Sequence, residues 1–584
     1  MKGAEYIAEF LARVGSNQVF VLTGGAAAFM IDAVARHPEL DYACFQSEQS
    51  AAMAADAVWR VDRKVGVTIA TSGPGATNLI TGIASSFFDS IPSLHITGQV
   101  NQQENTAFAG AMLRQNGFQE TKIVDIVRPV TKYATMVTSP TQLREELVRA
   151  YEIAVSGRMG PVLIDVPMDI QQMEVEGDLL LPAERSLEGE TPGKAVAALN
   201  ATLASARRPV LLFGAGVGLS AAEDDLTDWL ERVRLPFVAS WGGLAYFDHD
   251  HPGYCGQIGV YGNRGANFIV QNADVVIVLG SRLDNRQRSN RPENFATAAT
   301  VHVVDVDVEE LKKYASLGYR TTHADLAQLP EILKSLEPPQ LESKWLDYVA
   351  EMKRAYLGRE QSASAERLSS LSPYDVIRKM NGLLDSNAIV TADTGAAVCW
   401  LHQAFKVKRH RFFTAGGNSP MGYALPASIG AKLTHKRRQV LCYNGDGGFQ
   451  LNIQELQTIA HYDLEIVVVV MNNNGYGIIK QFQDSYLQGR YVGSEEGYSN
   501  PDFGKIAQAY GLRYARIERL DDITQDLFHG GAIVIEVMLH PQTLIEPKME
   551  MGRPINDQFP YLDDEEYEAG NRFVSYPRRK SAGA

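Results

Sequence analysis

Short apolar runs alternate with helix-like stretches through most of the chain. From Val19 to Pro167, the runs QVFVLTGG, VGVTIATSGPG, SLHITGQV and PVLIDVP each end in a glycine- or proline-rich turn. A second series contains PVLLFGAG, PFVAS, VVIVLGS and VHVVDVD, and a third contains AIVTADTG, VLCYNGDG, IVVVVMNNN and AIVIEVML. Strands that alternate with helices are typical of parallel sheets. The pattern therefore predicts an α/β fold with three doubly wound parallel-sheet domains.

Two polar, proline-containing stretches separate the three series, at about residues 171–194 and 337–372. Such stretches are typical of linkers between domains. We therefore place an N-terminal domain at residues 1–170, a middle domain at 190–340 and a C-terminal domain at 370–545. Residues 546–584 lack a regular pattern, which predicts an extended tail over the surface.

Composition narrows the class of protein. A chain of 584 residues is too long for one hydrophobic core. The net charge of −14 argues against a general binder of nucleic acid or anionic membranes. No apolar run approaches the roughly 18 residues of a membrane span, and the first residues resemble an amphipathic helix rather than a signal peptide. Four scattered cysteines without metal-ligand spacing indicate reduced thiols. We expect a cytoplasmic protein.

Polar residues directly follow two apolar runs of the third series. Asp446 follows QVLCYNG, and Asn472 and Asn473 follow IVVVVM. If these strands are neighbours, their carboxyl ends share one crevice, where parallel sheets bind ligands. Carboxylate and amide oxygens suit Mg²⁺ or Ca²⁺, and Gly447 and Gly448 leave backbone N–H groups open to a diphosphate at a helix start. The pattern indicates a metal–diphosphate anchor; the alternative is a turn followed by an Asn-capped loop.

This arrangement resembles a known family. Gly-Asp-Gly followed about thirty residues later by Asn-Asn is similar to the thiamine diphosphate motif of the decarboxylase and acetohydroxyacid synthase superfamily. The stretches TSGPGATN, GFQET, SRLDNR, MGYALPASIGA and NIQEL are similar to the acetohydroxyacid (acetolactate) synthase catalytic subunit. The resemblance implies thiamine diphosphate, Mg²⁺, and aminopyrimidine-binding (PYR), middle and diphosphate-binding (PP) domains. It also implies a homodimer or homotetramer with active sites between subunits.

The resemblance also implies roles for individual residues. Glu48 would bond N1′ of the aminopyrimidine, so that the 4′-amino group can act as a base. Phe118 and Gln119 would face the substrate. Met421 would lie under the thiazolium, and the Ser419 carbonyl would contact the aminopyrimidine. Without the family, Glu48 is an ordinary glutamate at a helix start and Met421 is ordinary core filling.

The remaining site residues follow from the same resemblance. Asp446, the side chain of Asn473 and the carbonyl of Gly475 would hold Mg²⁺. Further cofactor contacts would come from glycine-rich turns, at Gly24, Gly25, Gly73, Gly395, Gly445, Gly447 and Gly448. The middle domain would hold a structural FAD, with contacts from Gly214, Gly216, Arg282 and Asp305. By itself the FGAGVG stretch is a weak signal that often marks only a tight turn.

Three departures from the family pattern concern the second substrate. Phe482 stands where acetohydroxyacid synthases have a Trp, Met168 replaces a Lys near the substrate entry, and GAAV at residues 395–398 replaces the usual GQHQ. A pocket with one cation fewer should discriminate less strongly for acceptors that carry a carboxylate. These changes favour an uncharged acceptor. The opening VFVLTGGAA and the ending EPKMEMGRPINDQFPYLDDEEY are similar to the carboligase type of yersiniose biosynthesis, which uses a nucleotide-linked ketosugar.

Between Gly98 and Phe118 the sequence has no histidine, whereas pyruvate decarboxylases place a His pair there to release aldehyde. Joining to a second carbonyl compound is therefore favoured over simple decarboxylation. We expect a carboligase that decarboxylates pyruvate and transfers its two-carbon unit to a ketone, ketosugar or 2-ketoacid. The alternatives are an ordinary acetolactate synthase, a flavin-dependent pyruvate oxidase and a C–C hydrolase of cyclic diketones. A non-catalytic relative is disfavoured by the presence of Glu48, Met421, Asp446 and Asn473.

Overall fold

Three parallel sheets of six strands each organise the molecule. The structure is a computed structural model that describes residues 1–108, 113–360 and 362–576. The first sheet contains β1 (Gln18–Leu22), β2 (Asp41–Cys44), β3 (Gly66–Ala70), β4 (Ser93–Gln99), β5 (Tyr133–Met136) and β6 (Val162–Pro167), in the order β2-β1-β3-β4-β6-β5. Strands β3, β4 and β6 are buried along their whole length, as expected when helices cover both faces of a parallel sheet.

The second and third sheets repeat this architecture. The second contains β7 (Pro209–Phe213), β8 (Phe237–Ala239), β9 (Tyr254–Gln257), β10 (Val275–Leu279), β11 (Thr300–Asp305) and β12 (Arg320–His323), in the order β12-β11-β10-β7-β8-β9. The third contains β13 (Ile389–Ala392), β14 (Arg411–Phe413), β15 (Val440–Gly445), β16 (Ile466–Asn472), β17 (Arg513–Ile517) and β18 (Ile533–Met538), in the order β14-β13-β15-β16-β18-β17. The prediction of three parallel α/β domains is confirmed.

Helices connect the strands within each domain. The first domain has Gly3–Arg13, Ala28–Arg36, Glu48–Asp62, Pro74–Asn78, Ile80–Asp89, Ile123–Val127, Pro140–Val155 and Met168–Gln172. The middle domain has Pro192–Leu203, Ala215–Leu219, Glu223–Val233, Arg264–Asn272, Asn285–Arg288, Val308–Ser316 and Leu329–Ser335, and Ser343–Tyr356 and Ala363–Arg367 follow it. The third domain has Pro373–Asn381, Ala396–Ala404, Ala424–Thr434, Asp446–Leu451, Leu456–His461, Gly477–Leu487 and Phe503–Ala509. In the described part of the chain, no helix combines the length and apolar character needed to cross a membrane.

The first and third domains pack closely through one helix pair. Helix Glu48–Asp62 lies against helix Ala424–Thr434, and a Cβ at Gly430 would lie 2.3 Å from the carbonyl oxygen of Ala54. Only glycine permits this separation, because any larger residue would force the helices apart. The helix that begins at Glu48 is thus fixed by the third domain of its own chain.

The C-terminal segment corrects one expectation. Instead of an extended surface tail, it forms an antiparallel pair of β19 (Lys548–Met549) and β20 (Gln558–Phe559), followed by helix Asp564–Gly570. Its side chains at 553 and 555–558 are buried. The tail prediction was wrong because these buried groups are mostly polar, which leaves no apolar pattern in the sequence. Arg553 pairs with Asp557 inside the segment, and Asn556 and Gln558 form hydrogen bonds with the middle domain. The last predicted tail residues, 577–584, lie outside the described part.

Candidate active site

Glu48 lies at the carboxyl-terminal edge of the first sheet. It begins helix Glu48–Asp62 shortly after β2, and it is 6% exposed. Its carboxylate accepts a hydrogen bond of 3.0 Å from Nδ2 of Asn78. Just before it, the backbone N–H of Gln46 donates to Glu455 of the third domain at 3.2 Å. Two contacts, neither of which was predicted, therefore hold the Glu48 turn in place.

Other predicted residues of the first domain gather at the same edge. A Cβ at Gly24 would lie 2.5 Å from the Thr71 side chain, and a Cβ at Gly73 would lie 2.9 Å from Cβ of Gln119. Gly73 has a φ of +65°, which favours glycine. The neighbouring Phe118 side chain is 86% exposed. Gly25 shows no such close approach, since a Cβ there would meet nothing within 4 Å.

A cavity of about 520 Å³ opens at the carboxyl ends of β13, β15 and β16. Strands β15 and β16 are direct neighbours with Gly445 opposite Met471, so the loops after them meet, as the sequence analysis expected. The cavity is lined by these predicted residues: Gly395, Met421, Gly445, Asp446, Gly447, Gly448, Asn473 and Gly475. Ser419 lines the second cavity described below rather than this one; its φ is +52°, and its hydroxyl is 2.5 Å from that of Thr394, which lines both cavities.

Asp446 is a buried carboxylate in the lining of this cavity. Its Oδ2 accepts hydrogen bonds from the Gly475 N–H at 3.0 Å and from Nδ2 of Asn500 at 2.8 Å. Burial raises the pKa of Asp446, and a cation beside it would offset that desolvation. Asn473 is 3% exposed, and its Nδ2 has no hydrogen-bond partner among the described residues. The Asp446 carboxylate and the side-chain oxygen of Asn473 are the ligand types that suit a hard cation such as Mg²⁺, whereas the unpartnered Nδ2 suits an acceptor such as a phosphate oxygen.

The two glycines after Asp446 are required by close packing. A Cβ at Gly447 would lie 2.2 Å from the Tyr476 ring, and a Cβ at Gly448 would lie 1.8 Å from Oδ2 of Asp393. Asp393 in turn accepts the N–H groups of Gly422 (3.0 Å) and Tyr423 (3.1 Å), and burial raises its pKa to about 6. Asp393 therefore holds the loop that carries Met421.

A second cavity of about 520 Å³ lies where the three domains meet. Among the residues expected to contact FAD, Gly216, Arg282 and Asp305 line this cavity. Gly214 is not part of the lining. A Cβ at Gly214 would lie 2.0 Å from the carbonyl oxygen of Gly280. Burial raises the pKa of Asp305 to about 6. The cavity sits at the carboxyl ends of β7 and β10, where the strand order reverses, which is the usual ligand position in such sheets.

Most predicted residues of the middle and third domains line one of the two cavities, whereas those of the first domain do not. Glu48, Gly24, Gly25, Gly73, Phe118 and Gln119 are absent from the lining of both described cavities. Within one chain, the expected proton partner of the cofactor therefore does not line the cavity of the expected diphosphate anchor.

Several residues that line the first-described cavity, or contact it, were missed by sequence analysis. Arg286 lines both cavities, and its Nη1 donates to the Tyr261 hydroxyl at 3.3 Å. Arg286 is the last residue of the stretch SRLDNR, whose similarity to acetohydroxyacid synthases could have identified it. Lys548 lines the cavity from the C-terminal segment, where no pattern pointed to a site. Asn500 joins Asp446 from a loop far along the chain.

Comparisons with known proteins agree with this layout. Three family models match: the N-terminal thiamine pyrophosphate (thiamine diphosphate) binding domain of thiamine pyrophosphate enzymes at residues 1–126, the central domain at 196–328 and the C-terminal binding domain at 393–537. The chain is 34% identical to the acetolactate synthase isozyme 2 large subunit of Escherichia coli K12, over 90% of this chain and 92% of that protein.

Two further relatives have similar names. The chain is 34% identical to a probable acetolactate synthase large subunit of Methanocaldococcus jannaschii, over 95% of each protein. It is 30% identical to the acetolactate synthase large subunit of Lactococcus lactis, over 94% of each. The chain thus belongs to the thiamine pyrophosphate-dependent enzymes and has acetolactate synthase large subunits among its homologues.

Proposed function

We propose that this chain is a carboligase of the acetolactate synthase type, which decarboxylates pyruvate and joins the two-carbon unit to a second carbonyl compound. The observation that carries the proposal is the convergence of Asp446, Asn473 and Gly475 with Met421 on one cavity. The names of the relatives support the same activity.

The residues of the cavity fit a diphosphate bridged by Mg²⁺. Asp446, the Asn473 side chain and the Gly475 carbonyl would hold the metal, and the backbone N–H groups of Gly447 and Gly448, which line the cavity at a helix start, would bind the diphosphate. Met421 would support the ring system from below. When bound, thiamine diphosphate supplies the nucleophilic carbon and the electron sink that decarboxylation requires. The chain's own contribution is to position it and to manage protons.

We infer that Glu48 acts across a subunit boundary. In one chain Glu48 does not line the cavity of the diphosphate anchor, and the exposed Phe118 marks the edge of the first domain as a contact surface. In a homodimer, Glu48 of the partner subunit would face the cavity of the first and hold a proton at N1′ of the aminopyrimidine. A homodimer is the smallest assembly that completes such a site; a homotetramer would contain two of them.

The second substrate is better matched by a 2-ketoacid than by an uncharged compound. The replacement of a Lys by Met168 predicts one cation fewer, but two other cations, Arg286 and Lys548, line the cavity. Two cations suit an acceptor that carries a carboxylate. Together with the relatives' names, this favours the ordinary acetolactate synthase alternative.

One observation keeps the ketosugar carboligase as a second candidate. Phe482 lines the cavity, is 42% exposed and packs against the Tyr486 ring with 4.7 Å between centroids. This smaller aromatic leaves more room than the Trp of acetohydroxyacid synthases. A larger, uncharged ketone could use that room.

We also propose that the cavity between the three domains holds FAD in a structural role. Its volume, its closely packed Gly214 and Gly216 and its position at the reversal of strand order support a dinucleotide. Absorbance of the purified protein in the visible region tests the flavin directly.

A product analysis tests the function. The protein is loaded with thiamine diphosphate and Mg²⁺ and incubated with pyruvate alone, with pyruvate plus 2-ketobutyrate, and with pyruvate plus an uncharged ketone. Mass spectrometry should detect acetolactate and the mixed acetohydroxyacid. Oxygen uptake with pyruvate would instead indicate a pyruvate oxidase, and dominance of the ketone product would indicate the second candidate.

A further inference from the structure

Lys548 reaches the thiamine cavity from the C-terminal hairpin. A hydrogen bond joins strand β19 to the middle domain: the Met549 N–H donates to the Val260 carbonyl at 2.8 Å. The partner strand β20 also contacts the middle domain, since Nε2 of Gln558 donates to the Gly262 carbonyl at 2.9 Å. Lys548 is only 6% exposed and lines the cavity. The hairpin, which hydrogen bonds hold against the middle domain, thus places the buried side chain of Lys548 in the lining of the cavity.

Among the described residues, none forms a hydrogen bond or an ion pair with the ammonium group of Lys548. Another buried lysine beside the cavity, Lys480, is 2.9 Å from the Glu495 carboxylate. A buried charge without a partner is costly, so such a group normally has a ligand or titrates. Burial lowers the pKa of Lys548, and the nearby Arg286 lowers it further.

The two carboxylates that act on Lys548, those of Glu550 and Asp484, are hydrogen-bonded to other residues. The Glu550 carboxylate accepts the Tyr561 hydroxyl at 2.5 Å and lies 3.5 Å from Nε of Arg553. The Asp484 carboxylate accepts the Tyr491 hydroxyl at 2.5 Å. Both carboxylates raise the pKa of Lys548 through longer-range electrostatic attraction and not through a direct contact. The open side of the ammonium group therefore faces the cavity, which is where an anionic ligand would lie.

We propose that Lys548 is a specificity-determining residue that binds the carboxylate of the acceptor 2-ketoacid in the thiamine cavity. The inference rests on the proposed carboligase function and names the substrate class of the same site. The donor is a poorer candidate for this contact, because its carboxylate leaves as CO₂. A cation that stabilised that carboxylate would favour the ground state over the transition state. The acceptor keeps its carboxylate, so a cation beside it aids binding at no expense to the chemistry.

The test uses the full chain loaded with cofactor. It compares Lys548→Met, which keeps the apolar stem and removes the charge, with Lys548→Arg, which keeps the charge. With pyruvate as donor, 2-ketobutyrate and acetaldehyde compete as acceptors. In Lys548→Met the preference for 2-ketobutyrate should fall roughly 10- to 100-fold, the loss expected for one charge-assisted hydrogen bond. The fall should appear in the KM for 2-ketobutyrate, and Lys548→Arg should restore most of the preference.

Two binding measurements complete the test. Quenching of tryptophan fluorescence gives the Kd for thiamine diphosphate, which should change by less than about twofold in Lys548→Met. Equilibrium dialysis gives the Kd for oxamate, an uncharged amide joined to a carboxylate, which should rise by roughly the same factor as the KM. A rise in the Kd for thiamine diphosphate would assign Lys548 to the diphosphate and overturn the proposal.

The possible failures are distinct. If wild-type protein forms no carbon–carbon bond with either acceptor, the proposed function fails, and the oxamate measurement still decides whether Lys548 binds a carboxylate. If wild-type protein forms both products and the acceptor preference is unchanged in Lys548→Met, the proposal for Lys548 alone is overturned.

Discussion

The backbone N–H of Gly475 donates a hydrogen bond of 3.0 Å to the carboxylate of Asp446. This contact joins the loops that follow β15 and β16, which are direct neighbours in the third sheet. The Gly-Asp-Gly and Asn-Asn stretches, separated along the chain, thereby become one site.

Replacing Asp446 by Ala should weaken binding of thiamine diphosphate with Mg²⁺ by roughly 10- to 100-fold, because the cavity loses its buried carboxylate. Fluorescence titration with cofactor and metal measures this. Asp521→Asn, at a side chain that is 86% exposed, is the matched control. Unchanged affinity in Asp446→Ala would mean that the metal is held elsewhere.

Glu48→Gln should keep the fold and the cofactor affinity but lower turnover by roughly 10²–10⁴-fold, since it removes the carboxylate expected to hold the N1′ proton. Steady-state rates, with circular dichroism as a check on folding, measure the effect. Near-wild-type turnover in a stable, loaded Glu48→Gln protein would contradict the assigned role.

A heterodimer distinguishes a site between subunits from a site within one chain. Chains carrying Glu48→Gln and Asp446→Ala are co-expressed with different tags and purified in tandem. If each site takes Glu48 from one subunit and Asp446 from the other, one of the two sites is intact and about half of wild-type turnover should return. If both residues act within one chain, activity should stay at the level of the single variants.

Gly448→Ala should lower stability by roughly 1–3 kcal/mol, because its Cβ would lie 1.8 Å from Oδ2 of Asp393. Thermal unfolding of the apoprotein measures this without the cofactor. Gly193→Ala is the control, since a Cβ there meets nothing within 4 Å and φ is not positive. Equal melting temperatures for both variants would contradict the packing.

The buried Asp165 should make stability depend on pH. It accepts hydrogen bonds from Thr97 (2.6 Å) and Gln99 (2.9 Å), and burial raises its pKa to about 7. In the unfolded chain the pKa is about 3.9, so between about pH 4 and pH 7 the unfolded chain loses a proton that the folded chain keeps. The Asp165 contribution to the free energy of unfolding should therefore fall as pH rises through this window. Urea unfolding at about pH 5 and pH 8 should show a smaller difference for Asp165→Asn than for wild type.

The strands that the sequence revealed are mostly the inner ones. Runs such as IVVVVMNNN and VVIVLGS form β16 and β10, which are buried along their length. Several edge strands went unpredicted, among them β12 with the sequence RTTH and β17 with RYARI. An edge strand is partly exposed and needs no continuous apolar run, so periodicity does not reveal it.

By itself, the sequence determined the fold class, the family and the grouping of Asp446 with Asn473 and the nearby glycines, because those depend on apolar runs and on short motifs whose residues are close along the chain. Only the tertiary structure decided that Glu48 does not line the cavity of its own chain, that Lys548 lines it from the C-terminal segment, and that Asn500 bonds Asp446 from a distant loop. The physical reason is that such contacts depend on how separate elements pack and on which buried polar groups find partners. Neither leaves a periodic pattern along the chain.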